Sequence, residues 1–179
     1  MNVPRSKAGL LMHHHPDASG DHPVTYQVPF SYRGAPVAGA DAALIGTTEH
    51  GVLGKRWVYD GTRDPVLVAQ LFALIVGEAE PQMQSTSDTP DPSVIGWFAE
   101  SGATAAIAST TVTDDPSGTD LLVQTATDGH RLAIHINRVL QPGRDTVGQE
   151  ALGHVTAGWP LPDGTTARTV FAVVHPAHT

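Results

Sequence analysis

The chain has no cysteine, which excludes a disulfide framework, a thiolate nucleophile and any zinc site built on sulfur. Cations are scarce: 10 lysines and arginines stand against 18 aspartates and glutamates, a net charge of -8. A surface of that sign repels phosphate, so neither nucleic acid nor an anionic membrane is expected as a partner. No long apolar run is present either. The longest, Pro65 to Gly77, falls short of the roughly 20 residues that span a bilayer. The opening residues hold Arg5 and Lys7 but lack the apolar stretch and small-residue cleavage site of an export signal, so the expected location is the cytoplasm. Aromatic residues make up only 6 % of the chain.

What is abundant is punctuation. Fourteen prolines and 18 glycines in 179 residues imply many turns around a modest core, as in a β-rich or α+β protein. Residues 1–22 carry the triplet His13-His14-His15 between loop-forming residues without any periodicity, so they read as disordered or truncated. Three adjacent side chains cannot all face one ion from regular structure, and the triplet is assigned no role. Val24 to Tyr32 alternates, with Val24, Tyr26, Val28, Phe30 and Tyr32 on the face expected to be buried. Pro29 within it suggests an edge strand or a position whose amide would point to solvent, because proline donates nothing to a ladder. Strands are expected at 42–47 and 56–59, around a loop in which Gly51 and Gly54 suit positive φ.

Asp64 before Pro65 is a helix start, a capping carboxylate followed by a residue whose missing N–H costs nothing there. The helix is expected to reach Val76 and stop at Gly77. It is apolar nearly all round, so it must pack in a groove or on a sheet. The polar, proline-bearing stretch 79–93 reads as a linker. Beyond it, a short helix or turn around 94–99 precedes strands at 104–113, 120–127, 131–140, 153–159 and 166–174. Turns such as Asp128-Gly129 separate them, which makes residues 94–176 an antiparallel β region.

The stretch Leu44-Ile45-Gly46-Thr47-Thr48-Glu49-His50-Gly51-Val52-Leu53-Gly54, followed by Arg56-Trp57-Val58-Tyr59-Asp60-Gly61 and the helix from Asp64, resembles the N-terminal cap of maltokinases. With Val24 to Pro29, Tyr32 to Pro36 and Ser87 to Ser93, it is more similar to the stand-alone cap-like proteins often labelled α-glucan branching proteins, over most of residues 20–175. The resemblance implies an α+β fold: an antiparallel sheet packed on one main helix over residues 23–78, then a second antiparallel β-rich subdomain. Relatives usually begin with a further stretch absent here. Its loss would leave an exposed strand edge inviting another chain.

Kinase chemistry needs a phosphate-holding lysine, a catalytic aspartate and a magnesium carboxylate in context. None is found, and no glycine-rich phosphate loop occurs. The chain is therefore expected to be non-catalytic, with no cofactor and no metal site. Of its ten histidines, His50, His130, His135, His154, His175 and His178 show no HxxxH or HxH pairing on one element. The best candidates for a binding surface are Glu49, His50, Lys55, Arg56, Trp57, Tyr59 and Asp60. A structural reading competes, in which Glu49 and His50 decorate a hairpin loop, Trp57 and Tyr59 pack inside and Arg56 pairs with Asp60 or a neighbouring carboxylate. Trp97 and Trp159 are candidates for stacking on sugar rings, against the commoner role of tryptophan as core. The resemblance implies association with a maltokinase or other enzyme of maltose, trehalose or glycogen metabolism, or self-association. The alternative is a maltooligosaccharide-binding module, and an α-glucan-active enzyme or a maltokinase is a weaker reading.

Overall fold

The computed structural model describes residues 8–16, 23–83, 88–100, 105–161 and 163–177. Two antiparallel sheets and one α-helix make an α+β, β-rich fold. The strands are β1 (Ala8–Pro16), β2 (Pro23–Arg33), β3 (Leu44–His50), β4 (Gly54–Asp60), β5 (Ile95–Phe98) and β6 (Ile107–Asp114), then β7 (Gly118–Thr125), β8 (Arg131–Asn137), β9 (Val139–Leu140), β10 (Gly153–Pro160) and β11 (Thr166–Pro176). The helix α1 is Pro65–Ile75. The first sheet runs β1-β2-β4-β3, with β9 also paired to β2, and the second runs β5-β10-β11-β8-β7-β6.

The helix follows its sequence signals. Asp64 Oδ1 accepts the Val66 amide at 3.0 Å, Pro65 takes the first turn, and Gly77 leaves the helix at φ +82°. Its buried Val68, Phe72 and Ile75 join one core cluster with Leu121, Val123, Ile134, Ile136, Val155, Trp159, Phe171 and Val174. The helix expected to complete the first sheet therefore lies on the second, and the apolar core sits between them. At β5 the approach leaves no room for a side chain, since a Cβ on Gly96 would meet the Leu74 backbone.

Several elements differ from expectation. Residues 8–16, read as disordered, form β1, which pairs with β2 from Ala8↔Ser31 to Pro16↔Pro23; residues 1–7 and 17–22 lie outside the described residues. The His13 to His15 backbone thus belongs to a ladder, a non-local pairing that residue pattern alone does not reveal. Residues 95–98 are a strand rather than a helix or turn, because β10 supplies a ladder that four residues alone could not suggest. The β3–β4 turn is shorter than expected, and of its two glycines only Gly54 has positive φ.

β2 departs in part from its pattern: Phe30 is buried and Val24 and Val28 are half-buried as expected, but the tyrosines are not. Thr25, Gln27 and Ser31 are buried, whereas Tyr26 and Tyr32 are exposed. That polar face abuts the β8–β9 crossover, where the Gln27 amide donates to the Arg138 carbonyl at 2.8 Å. Backbone groups there need hydrogen-bonding neighbours, which favours this face over the two tyrosines, whose hydroxyls gain from reaching water. Nor is β2 an edge strand. Pro29 falls between its pairing with β9 at residues 25–26 and with β4 at residues 30–33, on the side to which Gln27 donates. Its missing donor costs no ladder bond.

Candidate functional site

The seven residues expected to form one surface divide between two environments. Glu49, His50 and Lys55 are exposed on the β3–β4 hairpin, with Glu49 opposite Lys55 in the ladder. His50 Nδ1 accepts the Val52 and Leu53 amides, both at 3.3 Å, so its imidazole closes the turn. Lys55 Nζ sits 5.3 Å from the Trp57 ring centroid, a cation–π contact that occupies one indole face. Arg56 reaches the Lys55 carbonyl at 3.4 Å and lies over Gly34. Around these polar groups the hairpin exposes Ile45 at 57 %, Leu53 at 56 % and Val52 at 88 %.

Tyr59 and Asp60 turn the other way. Tyr59 is buried, and its hydroxyl accepts the Val37 amide at 2.9 Å. Asp60 does not pair with Arg56. Its Oδ1 accepts the Thr62 amide at 3.0 Å and the Thr62 hydroxyl at 2.7 Å, while Arg138 donates to Oδ2 at 2.9 Å. Arg138 also donates to the Thr119 hydroxyl at 2.8 Å. This clasp ties β4 to β7 of the second sheet and to the β8–β9 crossover. Beside it, Arg33 holds the capping Asp64. A partly buried carboxylate is stable only when paired, so Arg138, distant in sequence, takes Asp60 from the local Arg56.

Of the two tryptophans considered for sugar stacking, Trp159 is 1 % exposed and packs edge-on against Phe171 at 5.9 Å. It is core and offers no platform. Trp97 is 47 % exposed on the edge strand β5, and its ring lies 5.4 Å from that of His154.

The ladder registers place Thr113, Asp120, His135, Val173, His154 and Trp97 opposite one another in turn across all six strands, on the face away from α1. Burial depresses the His154 pKa below the ordinary imidazole value. His135 Nδ1 lies 2.7 Å from Asp120 Oδ1, and Asp115 stands close enough that one ligand atom from each of the three falls within 4.8 Å of the others. Hydrogen bonds from the Ser117 hydroxyl, then from the Ser117 and Gly118 amides, hold the Asp115 carboxyl below its usual pKa. Sequence reasoning missed this cluster. Counting outward from a two-residue Asp128-Gly129 turn pairs Asp120 with Asn137, whereas the ladder pairs it with His135, so the turn signal alone misses the register.

Two antiparallel sheets, the second carrying the one helix of the described residues, define the class of fold. Residues 1–64 match the family model of the maltokinase N-terminal cap domain. The likeness read from the strand and hairpin motifs is thus shown over that part of the chain, which contains the whole β3–β4 hairpin and ends at the capping Asp64. No curated protein matches the chain. Among the described residues no helix is long and apolar enough to cross a membrane.

Proposed function

We propose that this protein is a non-catalytic, cap-like association module whose β3–β4 hairpin docks on the catalytic portion of a maltokinase or a related α-glucan enzyme. The observation that carries the reading is the hairpin itself. It exposes Ile45, Val52 and Leu53 together, and among the described residues no strand pairs with the outer edge of β3. Proteins commonly guard such an edge with lysine, proline or a covering element. β3 carries neither lysine nor proline, and an open apolar edge favours strand addition by a partner. The match to a maltokinase cap includes this hairpin, which supports an enzyme of that kind as the proposed partner. Native mass spectrometry of the protein mixed with a purified maltokinase is expected to give a complex. A chain that stays monomeric and unbound, or pairs only with itself, overturns the reading.

Exposed Trp97 favours a second reading, a maltooligosaccharide-binding face. Indole rings stack on the apolar faces of sugars as they do on other flat apolar groups. Retarded migration in a glycogen-containing gel, abolished by Trp97→Ala, supports it, and unretarded migration of the parent protein removes it.

A further inference from the structure

Three carboxylates at the joints of this fold each hold an arginine: Asp60 with Arg138, Asp64 with Arg33 and Asp114 with Arg63. Among the described residues Asp115 and Asp120 pair with neither lysine nor arginine, and both converge on His135. The geometry points to a first-row divalent cation site, of which zinc is the type ion, held by Asp115, Asp120 and His135 on the outer face of the second sheet. A cation there would compensate two carboxylates that the protein's own cations leave alone.

The three side chains are already gathered, with ligand atoms within 4.8 Å of one another. Asp120 and His135 are cross-strand partners on β7 and β8, so the ladder fixes their spacing. Asp115 is held in the β6–β7 turn through Oδ1, which accepts the Ser117 amide at 2.6 Å and the Gly118 amide at 3.0 Å. Its other oxygen has no such duty. A Cβ on Gly118 would meet the Ile136 carbonyl oxygen at 2.2 Å and His135 Nε2 at 2.8 Å. Glycine at 118 therefore lets both the neighbouring backbone and the imidazole approach. One imidazole nitrogen with two carboxylate oxygens suits zinc or manganese better than an all-oxygen calcium cage. Three protein ligands leave coordination positions open, and solvent reaches the site because Asp115 is exposed and Asp120 and His135 are only half-buried.

The test uses a background variant in which His13, His14 and His15 are all alanine, because a histidine run can chelate zinc by itself. Equilibrium dialysis against zinc salts at neutral pH is expected to find one zinc per chain. Asp120→Asn and His135→Gln should each weaken it at least about tenfold. Zinc should raise the melting temperature of the background protein but not of these variants. Asp115→Asn, at an exposed turn, gives the same reading should either strand variant fail to fold. Absence of binding, or binding and melting shifts unchanged in all three variants, overturns the site.

Discussion

Removing the Arg138 guanidinium measures how firmly the two sheets are clasped, and whether Asp60 is structural. Arg138→Met keeps the aliphatic stem and deletes the donors to Asp60 at 2.9 Å and to the Thr119 hydroxyl at 2.8 Å. The side chains of Arg138 and Asp60 are 22 % and 25 % exposed, so the pair is neither a surface pair nor a fully dry one. Exposed pairs contribute about 0–1 kcal/mol, and breaking a fully buried pair costs about 3–5 kcal/mol. The intermediate position sets the expected loss at about 2–3 kcal/mol. For a domain of this size that lowers the melting temperature by about 4–12 °C. Asp60→Asn retains an oxygen for the Thr62 amide and isolates the charge. Urea unfolding of both single variants and the double variant should give a coupling of at least about 1 kcal/mol. A loss under about 0.5 kcal/mol for Arg138→Met, with additive effects, would refute the clasp and return Asp60 to the candidates for ligand binding.

The other expectations concern the core, the helix contact and pH. Trp159→Ala should cost about 3–5 kcal/mol in urea unfolding, whereas Trp97→Ala should cost less than about 1 kcal/mol, because only the first empties a filled core. Gly96→Ala drives a Cβ into the Leu74 backbone, and a loss of about 3 kcal/mol is expected by thermal melting. His154 has a folded pKa below its unfolded value of about 6.5. The unfolded chain then binds the proton more readily, so His154 supports stability above about pH 6.5 and loses that support as pH falls through the folded value. Denaturation midpoints recorded across that range should fall on acidification in the parent protein and fall less in His154→Gln. An imidazole titrating at or above the ordinary value by NMR would contradict the burial argument.

Much of the strand order was legible because turns announce themselves. Asp128-Gly129, Gly54 and the Asp64-Pro65 pair each mark a boundary that the structure places within a few residues. What escaped depends on partners distant in sequence. The face of β2 was misread in part because its backbone meets a crossover more than 100 residues away, where the Gln27 amide finds the Arg138 carbonyl. Asp60 was grouped with Arg56 by proximity, although the second sheet supplies a better-placed cation in Arg138. The candidate surface was therefore half legible. Glu49, His50 and Lys55 do face solvent on the hairpin, while Tyr59 and Asp60 face the fold and Trp57 is half-buried under Lys55. The Asp115, Asp120 and His135 cluster needed the ladder register, which single-residue patterns do not carry.

The central claim is that the β3–β4 hairpin is the docking surface, and hydrogen–deuterium exchange on a mixture with a purified maltokinase tests it most directly. Strand addition would bury the free amides on the outer edge of β3. Exchange at residues 44–53 is predicted to slow on complex formation, with no slowing at β5 around Trp97. In Ile45→Asp with Leu53→Asp, both at exposed positions, the protection should disappear while the melting temperature stays the same. Unchanged exchange across the hairpin in the presence of enzyme, or protection confined to the Trp97 face, would contradict the account.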